Sequence, residues 1–256
     1  MISVRTLDLK WQEFQKEWRN TMQLAVVIPT LNERHNIGEM IERIEVALES
    51  MRSFEVIVVD DASPDGTADV AEKYADQYGN VKVLRREGKL GLASAVLDGV
   101  GLTDAETIVV IDADLQEPPE SIPRLYEQIV NGHDIVIGSR YTRGSTIANW
   151  GAVRKGISKV SIWLAWLLLP ATRGIRDPSN GYFLFRRRVL DGAELDPKGF
   201  KILMEILVKC DYNRVIEVPF EYMGRTRGES KLSSKQVISH LKYLNGLRKH
   251  PRNRGR

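Results

Sequence analysis

Short apolar runs alternate along the chain with segments whose apolar residues recur at helical spacing. Leu24-Ala25-Val26-Val27-Ile28 reads as a buried strand, and Asn36 opens a helix to about Ser50 with Ile37, Met40, Ile41, Ile44 and Leu48 on one face. Phe54 to Val59 is a second strand, followed by a turn-rich stretch and a helix to about Tyr78. Val81 to Leu84 is a third strand, and a helix begins at Gly88 to Ala95. Thr107-Ile108-Val109-Val110-Ile111 is β-branched throughout, as expected of a strand buried on both faces. A helix near Ser121–Asn131 precedes a strand from Asp134 to Arg140. This alternation predicts an α/β fold: a mostly parallel sheet with helices on both faces.

Beyond Tyr141 the alternation weakens. Trp150 to Leu169 is strongly apolar, with Arg154, Lys155 and Lys159 near its start and Arg173 and Arg176 beyond its end. Basic flanks and tryptophans suit a helix lying in a membrane interface, and the same pattern suits a helix buried in the protein; periodicity does not separate the two. Tyr182 to Phe185 is a strand, Phe200 to Lys209 a helix, and Val215 to Phe220 a last strand whose Pro219 places it at an edge. A polar loop, Arg225 to Lys231, leads to an amphipathic helix from about Ser234 to Leu247. Residues 1–22 form an N-terminal extension in which Trp11, Phe14 and Trp18 fall at helical spacing, and residues 248–256 a basic tail without apolar residues, expected to be disordered. The main domain is thus expected over 23–247, with an interfacial-helix region at 145–175.

The candidate chemistry lies where the central strand stops. Asp112-Ala113-Asp114-Leu115-Gln116 follows Ile111, and Pro118 and Pro119 prevent the strand from continuing. Strand ends of open α/β sheets are where ligands bind. Carboxylate and carbonyl oxygens from Asp112, Asp114 and Gln116 suit Mg²⁺ or Mn²⁺, and Mg²⁺ is typically held by one or two carboxylates together with substrate phosphates. The expectation is a metal and diphosphate site.

Bulk properties narrow the alternatives. The chain has 256 residues and a net charge of +3, so the fold as a whole is not a polyanion binder, and nucleic acid is not an expected partner. One cysteine, Cys210, excludes an internal disulfide. The four histidines do not form a metal spacing, and neither a phosphate-binding glycine loop nor a nucleophile elbow occurs. With neither a signal peptide nor an apolar run of transmembrane length, the expected location is cytoplasmic, peripheral at a membrane's cytoplasmic face.

Several motifs together resemble the GT-A fold of glycosyltransferase family 2: Val27-Ile28-Pro29-Thr30-Leu31-Asn32-Glu33, Val58 to Thr67, Lys89-Leu90-Gly91-Leu92, Asp112 to Gln116, Gly138-Ser139-Arg140-Tyr141 and Gly228-Glu229-Ser230-Lys231-Leu232. Within the family the resemblance is closest to the polyprenyl-phosphate sugar transferases, the dolichyl-phosphate mannosyltransferases in particular. It implies inverting, metal-dependent transfer of mannose from GDP-mannose to dolichyl (polyprenyl) phosphate, at a membrane surface and with a possible separate membrane-anchoring subunit. It also implies residue roles. Pro29, Leu31 and Glu33 with Val59 and Asp61 would hold the guanosine, with Asp60 beside them. Asp112, Ala113 and Asp114 would face the diphosphate-sugar, Asp114 and Gln116 would bind the metal, and Arg140, Arg225 and Lys231 would line the donor and acceptor phosphates. Asp114, Arg140 and Arg225 are the catalytic candidates.

Leu31 stands where the family commonly has tyrosine, so stacking on the base is lost. UDP-glucose, another sugar nucleotide or a non-lipid acceptor are the alternatives, as is a non-catalytic sugar-nucleotide-binding subunit. Asn180 and Gly181 read as turn formers outside the site, and Arg186-Arg187-Arg188 as surface charge.

Overall fold

The computed structural model describes residues 24–51, 53–148, 150–196, 201–224 and 243–249. The expected extension at 1–22, Arg225, Lys231, most of the expected final helix and nearly all of the basic tail lie outside the described residues.

The described strands are β1 (Leu24–Thr30), β2 (Phe54–Asp60), β3 (Val81–Arg85), β4 (Thr107–Val110), β5 (Ile135–Ser139), β6 (Thr146–Ile147), β7 (Phe183–Arg186), β8 (Val215–Pro219) and β9 (Glu221–Tyr222). Seven form one sheet in the order β3-β2-β1-β4-β7-β5-β8, and β6 pairs with β9. All neighbours in the large sheet are parallel except β7, which is antiparallel to β4 and to β5. The fold is the expected mostly parallel α/β sheet, and β8, with Pro219, is one of its two edges.

Alternation along the strands divides the core. Leu24, Val26 and Ile28 of β1 face one layer, with α1 (Ile37–Ala47), α2 (Thr67–Gln77) and α4 (Ile122–Val130). Ala25 and Val27 face the other, with α3 (Leu92–Gly101) and α6 (Ile202–Lys209). β1 and β4 are covered on both sides, which is why they read as continuous apolar runs. Each fully buried Val or Ile contributes about 1.5–3 kcal/mol relative to exposure.

The helix expected at Trp150–Leu169 forms as α5 (Ala152–Leu168). One side packs inward: Ile162, Ala165 and Leu169 are buried, and Ala165 and Leu169 meet Met204, Val208, Leu244 and Leu247. Residues 243–248 are helical and belong to this satellite core. The other side leaves Ile157, Val160, Trp163 and Leu167 exposed. The inward side agrees with the reading of a helix packed on the protein.

Arg186 and Arg187 are not the surface charges expected of them, whereas Arg188 is exposed as expected. Arg187 donates to the carbonyls of Ala105, Val100 and Thr103, Arg186 to those of His133 and Ile129, and Arg188 pairs with Asp134. They tie β7 to the loops at the edge opposite the candidate site. An arginine whose stem is buried while its head caps carbonyls has the same sequence signature as a solvated one.

Candidate active site

Strand order reverses direction at β1. Successive strands run outward through β2 and β3 on one side, while β4 lies on the other. The crevice beyond the carboxyl ends of β1 and β4 is thus a topological switch point, the recurrent ligand position of such sheets. The loops after β1, β2 and β4 each contain a non-glycine residue in the left-handed region: Asn32 (φ 58°), Ala62 (φ 56°) and Leu115 (φ 60°). For Ala62 and Leu115 this costs roughly 1–2 kcal/mol each. Strain of this kind collects at functional sites, where surrounding structure fixes it.

The first two loops are laced together. Asn32 N donates to Ser63 Oγ at 2.9 Å, Glu33 N to Thr67 Oγ1 at 2.9 Å and Arg34 N to Asp65 Oδ2 at 3.2 Å. Pro29 and Val59 are buried at adjacent strand ends in register, and Leu31 is half-buried above them. Asp60 and Asp61 have internal partners. Asp60 accepts from Ser63 N and from the Thr30 hydroxyl, so it shapes its own turn. Asp61, buried, accepts from Arg86 Nη1 at 2.7 Å, Leu90 N at 2.9 Å and Gly91 N at 3.0 Å. Arg86 also binds the Gly91 carbonyl and Ser94 Oγ and lies 3.0 Å from Asp98. Asp61 and Arg86 thereby hold the Lys89–Gly91 loop against the site.

Acidic groups concentrate after β4. Asp112 keeps some surface open to the cleft, yet burial and then the charge of Asp114 push its carboxyl up to about 6, with the charge of Lys201 opposing. Glu117 is buried and is raised well above the usual carboxylate range by burial, then by the charges of Asp112 and Asp114. Its Oε2 accepts from Asp112 N at 3.1 Å, closing the turn. Carboxylates crowded until they resist ionisation are relieved by a cation. No trio of carboxylate, imidazole or thiolate side chains able to hold a metal converges among the described residues. Asp112 and Asp114 offer carboxylate oxygens that would suit a hard divalent ion whose remaining ligands would come from substrate and water.

Gln116 is more enclosed than its motif suggests. It is buried, its Oε1 accepts from Tyr222 Oη at 2.9 Å and its Nε2 donates to the Met223 carbonyl at 3.3 Å. Its backbone pairs with Met223 as well. The structure thus uses Gln116 to fasten the Asp112–Glu117 turn to the segment ending β9.

Arg140, at the end of β5, has a fixed partner that sequence reading did not find. Its Nε and Nη2 donate to Asp177 Oδ2 and Oδ1 at 2.8 and 2.7 Å, and its backbone N donates to Asp177 Oδ2 at 3.0 Å. The guanidinium is boxed by Tyr141, Trp150 and Tyr222, with ring centroids 5.8, 5.3 and 5.4 Å away. Burial alone would lower its pKa; the adjacent Asp177 more than offsets this and holds it charged.

Because β7 runs antiparallel, its amino end, not its carboxyl end, lies at the site. This carries residues 177–181 to the crevice, and Asn180 and Gly181, expected outside, line it. The cleft walls include Pro29, Asp112, Asn180, Gly181 and Lys201, with apolar residues of α3 and α6 behind them. Asn180 donates to the Gly138 carbonyl, and Gly181 lies directly against the Asp112 carboxylate. Strand direction was the missing signal. For Glu117 a signal existed: a third carboxylate within the same turn as Asp112 and Asp114.

Comparison with known proteins agrees with this fold. The family model described as Glycosyl transferase family 2 matches residues 25–192. A dolichol-phosphate mannosyltransferase of Pyrococcus furiosus is 48% identical over 228 residues, covering 89% of this chain; the chain spans 64% of that relative's length. A dolichol-phosphate mannosyltransferase of Saccharomyces cerevisiae is 34% identical over 238 residues, covering 89% of this chain and 87% of its own. Among solved structures, glucosyl-3-phosphoglycerate synthase of Mycobacterium tuberculosis, in complex with Mn²⁺, UDP-glucose and phosphoglyceric acid, superposes with a TM-score of 0.66. It is 22% identical, covers 91% of this chain and 82% of its own, and shares the fold. The matched family model spans β1 to β7, the acidic turn included, and the chain belongs to glycosyltransferase family 2.

Proposed function

We propose that this chain is a metal-dependent, inverting mannosyltransferase that moves mannose from GDP-mannose to dolichyl (polyprenyl) phosphate, giving a lipid-linked sugar donor for glycosylation. The observation that carries the reading is the Asp112–Asp114 pair at the switch point, in a chain 48% identical to a dolichol-phosphate mannosyltransferase.

Asp112 and Asp114 hold a Mg²⁺ or Mn²⁺ ion, with Gln116 fixing the turn between them and β9. When bound, the ion supplies Lewis-acid stabilisation of the departing diphosphate. Pro29, Leu31, Glu33 and Val59 flank the nucleoside; Asp60 and Asp61 contribute by ordering the loops around it. Arg140, fixed by Asp177, sets a positive potential beside the phosphates, joined by Arg225 and Lys231.

The acceptor needs no strong base. A phosphate monoester has a second pKa of about 6, so it is largely dianionic near neutrality. One of its oxygens attacks the anomeric carbon from the side opposite GDP. The new carbon–oxygen bond forms as the bond to the diphosphate breaks, and the anomeric centre inverts. The chain's contribution is positioning and electrostatics.

No helix of the described residues is long and apolar enough to cross a membrane. The exposed stripe of Ile157, Val160, Trp163 and Leu167, with Lys155, Lys159, Arg173 and Arg176 exposed around it, supports seating on a membrane surface. We place the protein peripherally at the cytoplasmic face, with a separate membrane-anchoring subunit as a possible partner.

A second reading keeps this chemistry with another donor such as UDP-glucose; Leu31, which offers no ring to stack on guanine, favours it. A non-catalytic subunit is disfavoured by the intact Asp112 and Asp114. The test is the product. Incubation with GDP-mannose, dolichyl phosphate and Mg²⁺ should give a lipid-extractable mannosyl phosphate of inverted, β configuration. An α-linked product would refute direct displacement.

A further inference from the structure

The cleft wall contains one cation among its described lining residues, and no motif singles it out: Lys201, immediately before α6. Its side chain runs into the interior, and Nζ donates to the Ser179 carbonyl at 2.6 Å. The ammonium faces the charges of Arg140, Asp112, Asp177 and Glu117. Burial first, and then the charge of Arg140, lower its pKa, while the three carboxylates oppose that shift.

A polyanion entering this cleft meets Asp112, whose own neighbours include Asp114 and Glu33. A divalent ion offsets part of that repulsion. Arg140 is committed to Asp177 through both edges of a bidentate pair. Lys201, held through the Ser179 carbonyl, contributes a compact positive charge to the wall, and a lysine ammonium, with three donors, suits point-charge contact with phosphate oxygen. The start of α6 reinforces it: Ile202 and Leu203 also line the cleft, which brings the positive end of that helix to the same place.

We propose that Lys201 binds a phosphate oxygen of a substrate in this cleft, and that Tyr243 is its positioning residue. The Tyr243 hydroxyl donates to the Lys201 carbonyl at 3.1 Å. Its neighbour Leu244 is fully buried against α5 and α6. The helix at 243–248 thus pins the backbone from which the lysine extends. The phosphate belongs either to the sugar nucleotide's diphosphate or to the acceptor monoester. The identity of those carriers rests on the proposed function; the placement of the cation does not.

The test compares wild type with Lys201→Met, Lys201→Gln and Tyr243→Phe. Each is titrated in Mn²⁺ with GDP, UDP and pyrophosphate by calorimetry, and the acceptor KM for dolichyl phosphate is measured beside it. Circular dichroism and thermal melting confirm folding; Lys201→Gln keeps a donor for the Ser179 carbonyl if Lys201→Met does not fold. If the diphosphate is the partner, both Lys201 variants bind it roughly ten- to a hundredfold more weakly, and Tyr243→Phe severalfold more weakly. If the acceptor is the partner, diphosphate affinity holds while acceptor KM rises by a similar factor. Wild-type affinity for all three ligands together with wild-type acceptor KM in a folded Lys201 variant overturns the proposal. So does tighter Mn²⁺ binding with no loss toward any phosphate, which would make Lys201 only the counter-ion of Asp112. A wild type that binds UDP or pyrophosphate but not GDP refutes the guanosine donor, and the Lys201 comparison is then decided on the ligand that binds.

Discussion

The carboxylate of Asp112 rests on the backbone of Gly181: a Cβ built on Gly181 would come within 2.6 Å of Asp112 Oδ2 and 3.0 Å of Oδ1. The loop before β7 therefore sets where the first aspartate of the acidic turn can point. Gly181→Ala is expected to displace Asp112 and to lower sugar transfer at least tenfold. Because the collision is with a side chain at the cleft edge, thermal stability should change little. Transfer rate and melting temperature measured on one preparation separate the two effects. Unchanged transfer would show that Asp112 tolerates a new position.

The Arg140–Asp177 pair makes the opposite prediction, a large effect on folding. Asp177 is fully enclosed, and the Arg140 side chain is 9% exposed. Removing one partner of a buried pair typically costs about 3–5 kcal/mol, because the other charge stays buried without compensation. Asp177→Ala should lower the denaturation midpoint accordingly. Arg140→Lys should recover little, since a lysine cannot reproduce two parallel guanidinium bonds inside an aromatic box. A denaturant titration within experimental error of wild type would contradict this.

Asp112 predicts a pH signature. Its carboxyl is raised from the ordinary 3.8 to about 6, so the folded, metal-free chain binds this proton more tightly than the unfolded chain. Its contribution to stability is therefore largest at low pH and falls as pH rises from about 4 to about 6. A divalent ion needs the ionised form and should restore that loss. Mn²⁺ is expected to raise the melting temperature clearly at about pH 7.5 and little at about pH 5. An equal rise at both pH values would argue that the ion binds elsewhere.

Trp163, Val160 and Leu167 are 58%, 57% and 55% exposed on one side of α5. If this side meets lipid, Trp163→Glu and Val160→Glu should strongly reduce co-sedimentation with vesicles containing anionic lipid. Melting temperature should stay within about a degree, as exposed substitutions change stability by about 0.5 kcal/mol or less. Undiminished vesicle binding by the double variant would refute the interfacial reading of this helix.

Much of the fold was legible in the sequence because the chain alternates so regularly. β1, β2 and β4 are near-continuous apolar runs, which only a strand covered on both faces requires, and Pro219 marked the edge strand correctly. The acidic turn was legible for a related reason: carboxylates after such a strand have few places to go but the ligand edge. What the sequence hid depends on direction and depth. Nothing in Tyr182 to Phe185 reveals that β7 runs antiparallel, so Asp177, Asn180 and Gly181 appeared to be an ordinary turn. Lys201 went unremarked inside the expected helix from Phe200 to Lys209, since a buried lysine carries no local mark. Arg186 and Arg187 looked solvated because their partners are backbone carbonyls distant in sequence. Asp61 also holds Arg86, Leu90 and Gly91, partners too distant in sequence to be read from its motif.

The most direct measurement is transfer from radiolabelled GDP-mannose to dolichyl phosphate in detergent with Mg²⁺ or Mn²⁺, run beside chelator, Asp114→Ala and a UDP-glucose control. The expected result is a lipid-linked mannose product from GDP-mannose that is abolished by chelator and by Asp114→Ala, with no glucose product. Product that persists in Asp114→Ala would contradict the assignment of the acidic turn as the reaction centre, and product from UDP-glucose alone would contradict the mannose donor and direct attention to Leu31.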